Sequence, residues 1–202
     1  MAKFQKPPPL DIKCTSTDCG NDLHCFKQLK KMTPDQRGKC RTCGVDLVDW
    51  KRLHRRDKGD AEYTFSALQH ELIRHHFFHR PVDNGAMRHA QRKGRVALKK
   101  AARDRLRKYL AVAEPPRDGR QTPLEGNAIY YAQHATATCC RTCLEYWHDI
   151  PKSRPLTDAE FDYCAALVDL FLDEKLPDLA DDPIKVPRRP RGLPPEAEGP
   201  HP

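Results

Sequence analysis

The sequence predicts an α+β fold built on a metal centre, and three observations carry that prediction. Two C-x-x-C pairs, Cys40-Arg-Thr-Cys43 and Cys140-Arg-Thr-Cys143, enclose the same Arg-Thr. A short run after the first pair (VDLVDW, from Val45) and a longer run before the second (AIYYAQHATAT, from Ala128) have the alternation or the β-branched and aromatic content of strands. Between and after these runs lie segments with helical apolar periodicity.

Composition bounds the rest. A chain of 202 residues is expected to form one domain with tails. The net charge of +8 and pI ≈ 9.1 favour polyanionic partners. No apolar run approaches the ~20 residues of a membrane span, and MAKFQKPPPL lacks the apolar core of a signal peptide. A soluble, cytoplasmic protein without a membrane partner is expected. Nine cysteines, an odd number, point to metal ligation plus some free thiols rather than to a disulfide framework.

In chain order, residues 1–10 read as a disordered tail and 11–178 as a single domain. The segment CTSTDCGNDLHCFK groups Cys14, Cys19, His24 and Cys25 as the ligands of a second metal site, or as a cysteine-rich loop. Cys40 to Gly44 reads as a zinc knuckle. Its two thiolates need a tight turn to face one ion, and Gly44 supplies the permissive backbone. After a charged connector, Asp60 would cap a helix over 61–79 with Phe65, Leu68, Leu72, Ile73 and Phe77 inward. A second helix, 86–113, carries ten Lys or Arg and one acid, Asp104, between Arg88 and Lys108. Arg88, Arg92, Lys93, Arg95, Lys99, Lys100, Arg103 and Arg107 would form a phosphate-contacting surface, because no acidic partner is evident alongside. The strand over 128–138 follows, then a short helix from Cys140 ended by Pro151. Thr157 and Glu160 form a capping box for the last helix. Cys164 falls on that helix's apolar face and reads as a buried thiol. Residues 179–202 read as a Pro/Arg-rich disordered tail.

Knuckle, strand, insertion, strand and a C-x-x-C at a helix start make a treble-clef-like order. Cys40, Cys43, Cys140 and Cys143 would close a four-thiolate zinc site, with Cys139 competing for the place of Cys140 and the helices of 61–113 folded as an insertion. One zinc is expected, or two if the N-terminal group also binds. A closed site leaves no open position for substrate, so any catalysis would fall to His134 and His148 beside it. Three functions remain open from the residues: nucleic-acid binding through the basic helix with DNA or RNA unspecified, a metal-dependent nuclease or hydrolase, and a zinc-scaffolded protein-interaction module.

The runs AQHATATCCRTCLEYWH, RQTP and CTSTDCGNDLHCF together resemble a family of bacterial and phage proteins known as a domain of unknown function. The resemblance covers most of residues 11–178 and implies no activity. A looser likeness, to His-Asn-His endonucleases built on a treble clef, implies a nuclease role for Asn127, His134 and His148.

Overall fold

The computed structural model describes residues 12–29 and 31–186. Its helices are α1 Trp50–Leu53, α2 Ala61–Leu68, α3 Leu72–His79, α4 Asn84–Tyr109, α5 Ala128–Ala135, α6 Arg141–His148 and α7 Asp158–Lys175. Among the described residues the extended pairing consists of two isolated bridges, Asp18 with Leu23 and His24 with Glu71, and there is no sheet. The expected α+β class is therefore corrected to a helical fold. The predicted tails at 1–10 and from 187 onward lie outside the described residues.

Both expected strands fail for identifiable reasons. Val45 to Asp49 is extended but has no ladder partner, and the carbonyl of Val45 instead closes the knuckle by accepting from Cys40 N at 2.8 Å. Asp49 then caps α1, its carboxylate accepting from Arg52 N at 2.9 Å. The 128–138 run folds into α5. Asn127 supplies the N-cap, accepting from Ile129 N at 3.0 Å. Ala128, Ala132 and Ala135 fall on one helical face and are fully buried. Alanine is the best helix former, and its small side chain lets α3, α4 and α7 all approach α5. The helices expected as an insertion are thus packed round α5 as the body of the core.

The helix expected over 61–79 is broken into α2 and α3. Glu71 is extended (φ −89, ψ 123) because the chain at His24 docks there. His24 N donates to His70 O at 2.8 Å, and Leu72 N donates to His24 O at 3.0 Å. Asp60 makes no capping bond. Its carboxylate is held by Arg52 at 2.6 Å and by Arg55 at 3.3 Å.

Gly94 kinks α4 (φ 72, ψ 163) where residues 177–184 cross it. The helical bonds lost there are replaced by Arg95 N to Ala180 O at 2.8 Å and Ile184 N to Gln91 O at 3.0 Å. The first residues of the predicted C-terminal tail, 179–186, are therefore part of this packing.

α7 starts at the predicted capping box, with Glu160 N donating to Thr157 Oγ1 at 3.2 Å. Phe26, Trp50 and Trp147 pack ring against ring with centroids 5.2–5.9 Å apart, joining the N-terminal loops to α6. No helix among the described residues is long and apolar enough to cross a membrane.

Candidate metal centres

The structure divides the clustered cysteines into two groups, and neither is the four-thiolate set expected from the C-x-x-C pairs. Cys40 and Cys43 lie with Cys19 and His24, while Cys140 and Cys143 lie with Cys139. Within each group the ligand atoms are all within 4.8 Å of one another. The knuckle sits beside Cys25 because Arg41 N donates to Cys25 O at 2.9 Å. That bond fixes it to the N-terminal segment rather than to the start of α6.

The first group is built by loops. Asp18 and Leu23 pair to form a small hairpin, closed by Asp22 in the left-handed region (φ 60), which sets Cys19 and His24 on one side. Gly44 (φ 78) completes the knuckle turn, with its N–H on Cys40 O at 2.9 Å. Cys19 Sγ and Cys40 Sγ are 3.8 Å apart, and His24 Nδ1 is 3.5 Å from Cys43 Sγ. The other imidazole nitrogen, Nε2, bonds Asp22 Oδ1 at 2.9 Å. A carboxylate behind a histidine in this way orients the ring and leaves Nδ1 toward the sulfurs. Burial opposes charge on Cys40, yet the surrounding backbone N–H groups and His24 bring its thiol down to about 6. Burial and hydrogen bonds with Cys43 and Cys40 push Cys19 up to about 11.

The second group sits at the start of α6, with all three sulfurs buried. Cys140 is the N-cap, its sulfur accepting from Cys143 N at 3.4 Å. Asp118 reinforces that helix start by accepting from Arg141 N at 2.7 Å and Thr142 N at 3.0 Å. Thr122 holds the loop by donating to Cys139 O at 2.8 Å. Cys143 is the sulfur that most readily carries charge. Cys139 and Cys140 donate to it, Arg74 lies beside it, and its thiol falls well below the usual range.

Arg74 and Glu71 went unremarked as a pair in the sequence, although their i, i+3 spacing on a helical segment was a signal. Both are 1 % exposed. Arg74 Nη2 donates to Cys143 Sγ at 3.3 Å, its Nη1 to His134 O at 2.7 Å and its Nε to Glu71 Oε2 at 3.1 Å. Glu71 also accepts from Tyr146 Oη and Trp147 Nε1, each at 2.6 Å. This network links the docking point of His24 to the second sulfur group.

The remaining predicted site residues are placed as follows. Cys25 is fully buried and donates to Cys14 O at 3.4 Å. Neither Cys14 nor Cys25 joins Cys19 and His24 in the first group. His134 stacks on Phe77 at 4.6 Å, and its Nε2 faces the carbonyls of Thr122 and Pro123 at 3.3 and 3.2 Å. His148 is fully buried between Tyr163 Oη and Thr136 O, each at 3.1 Å. Burial holds both imidazoles down at about 4, so both are neutral at pH 7, His148 in the core and His134 half-buried.

On α4 an acidic partner does run alongside, contrary to the reading from sequence. Asp173 of α7 pairs with Arg95 at 2.8 Å and with Lys99 at 2.6 Å, and Arg103 reaches Asp169 at 3.1 Å. Arg92, Lys100 and Arg107 are exposed, with Lys100 paired to Asp104 at 3.0 Å and the Arg107 guanidinium over the Phe161 ring of α7 at 4.5 Å.

No solved structure matches the chain. A family model described as "Domain of unknown function (DUF4186)" matches residues 62–173, a span that holds α3 to α6, Glu71, Arg74 and the second sulfur group. With more than half of its length matched, the chain belongs to the DUF4186 family.

Proposed function

We propose that the protein is a zinc-stabilised helical domain with two structural centres, one made by Cys19, His24, Cys40 and Cys43 and the other on Cys139, Cys140 and Cys143. One observation carries this reading. A tetrahedral zinc with Zn–S near 2.3 Å and Zn–N near 2.0–2.1 Å puts sulfurs about 3.8 Å apart and sulfur about 3.5 Å from nitrogen. The first group has edges of 3.8 Å and 3.5 Å. When bound, zinc supplies four directional bonds that hold loops together, and a full shell leaves no place for substrate. Elemental analysis of purified protein is expected to give two zinc ions per chain. Finding no zinc sinks the reading.

A second reading, contact with a polyanion, is favoured by the exposed stripe of Arg92, Lys100 and Arg107 together with the net charge of +8. Arg95, Lys99 and Arg103 are excluded from this stripe because aspartates of α7 hold them. Reversing Arg92, Lys100 and Arg107 to Glu is expected to weaken binding to generic duplex DNA and RNA and to flatten its salt dependence. Unchanged binding and slope would remove this surface from consideration.

A further inference from the structure

The two sulfur groups are unequal. The first offers four donors, while the second offers three thiols on a metal class that prefers four ligands. The neighbouring donors are engaged elsewhere. Glu71 is shared by Arg74, Tyr146 and Trp147, and Asp118 caps α6. His134 and His148 face backbone carbonyls and a tyrosine hydroxyl. Cys164 lies on α7, where its charged neighbours are Glu160 and Arg141.

Two thiols remain, Cys14 and Cys25, and Cys25 directs its S–H to Cys14 O at 3.4 Å. Cys14 stands on a turn closed by Ser16 N to Lys13 O at 3.0 Å and by Lys13 N to Ser16 Oγ at 3.0 Å. Its carbonyl is tied to Cys25 at 3.4 Å, and Cys25 follows His24, whose backbone docks on either side of Glu71. The turn is thereby tied to the segment that docks beside Glu71. Cys14 lies within electrostatic range of Arg74, Cys143 and Glu71, and Arg74 in turn responds to Cys14. Cys14 is exposed and is not within the 4.8 Å set of the other three sulfurs, so closing the shell requires the turn to move inward.

We propose that Cys14 is the fourth ligand of the buried centre, so that a divalent metal there is held by Cys14, Cys139, Cys140 and Cys143. Four thiolates on a divalent ion leave two negative charges, and the guanidinium of Arg74 on Cys143 Sγ at 3.3 Å offsets one of them. The nine cysteines then divide into three at the loop centre, four at the buried centre and two lone buried thiols, Cys25 and Cys164. The adjacent ligands Cys14 and Cys19 serve different ions, which accounts for spacing that fits no single site.

This assignment rests on the two-centre reading, and Co²⁺ substitution separates the two. Wild-type protein is expected to take up two Co²⁺ ions with sulfur-to-metal charge-transfer absorption. Cys14→Ser should still bind two ions, lose the absorption share of one thiolate and shift its ligand-field bands toward a three-sulfur site. It should release one ion roughly tenfold faster or more, since even outer-shell changes weaken metal sites about 10–100-fold. Cys25→Ser should leave the spectrum unchanged. Two bound ions with an unaltered Cys14→Ser spectrum would overturn the role of Cys14 and leave the two-centre reading standing. The same holds if Cys25→Ser, rather than Cys14→Ser, changes the spectrum. One ion or none bound to the wild type would overturn both. If Cys14→Ser does not fold, iodoacetamide footprinting of the zinc-loaded wild type decides. Cys14 should be protected together with Cys139, Cys140 and Cys143 and become reactive with them on chelation. Reaction of Cys14 while those three stay protected would overturn the proposal.

Discussion

The loop centre and the buried centre solve opposite problems. Among the described residues between 12 and 48 the buried apolar side chains are Cys25, Phe26, Cys40 and Val48. That is too little to order such a segment against its conformational entropy, and in the two-centre proposal a metal on four donor atoms takes the place of a core. Round Cys139, Cys140 and Cys143 the helices are already packed, with Leu144, Trp147 and Tyr131 fully buried. A metal there adds to a structure that has its own apolar support. What the buried centre needs is a cation, which Arg74 supplies on Cys143 while Glu71 holds the guanidinium in place. The difference teaches that similar cysteine motifs can have unlike roles, one making structure and the other being protected by it.

The largest test removes the loop centre. Cys40→Ser is expected to lose one metal and nearly all hydrogen-exchange protection between residues 12 and 48, while α4 to α7 stay protected. Structural zinc contributes on the order of 10 kcal/mol of folding free energy in small domains, so the loss should be complete rather than partial. Equal loss of protection in both regions would break the contrast.

Next comes the charge network. Arg74→Met leaves Glu71 and Cys143 buried without their cation and is expected to cost roughly 3–5 kcal/mol in urea denaturation. Adding Glu71→Gln should recover part of that. A cost below about 1 kcal/mol would show that the buried centre has no need of compensation.

Acid offers a smaller lever. His134 and His148 have folded values near 4, below the ordinary 6.5, so the unfolded chain binds more protons between those limits. Core stability should therefore rise with pH from 4 to 6.5 and be lost on acidification through that window. Each histidine contributes at most about 1.4 kcal/mol per pH unit. His148→Gln should flatten the slope read from helical circular dichroism, and an unchanged slope would assign the acid sensitivity elsewhere. The smallest effect is expected from Cys164→Ala. Removing a lone buried thiol should cost about 1 kcal/mol and leave metal content unchanged.

Much of this was legible where the signal is local. The Cys40–Gly44 turn, the Thr157–Glu160 capping box and the helix after Cys140 depend on residues a few positions apart. What failed was long-range or depended on context. In residues 128–138 aromatic and β-branched content outweighed the better clue, Asn127 followed by alanines at 128, 132 and 135. The acids Asp162, Asp169 and Asp173 recur at helical spacing on α7, and that stripe could have been matched to the basic face of α4. The grouping of Cys40 and Cys43 with Cys19 and His24 had no such clue, because it follows from where His24 docks on Glu71.

The positions of the donors along the chain also bear on biosynthesis. Every donor of the loop centre has been synthesised once residue 43 is added, whereas Cys143 follows roughly 5–20 s later at ordinary elongation rates. A hairpin and a knuckle are small enough to close round an ion in that interval, before their docking partner Glu71 and the helices behind it are complete. Metal supply would then act on the nascent chain. A cell short of zinc would release chains whose first segment stayed open while the later helices were being made, exposing the free thiols Cys19, Cys40 and Cys43 during assembly.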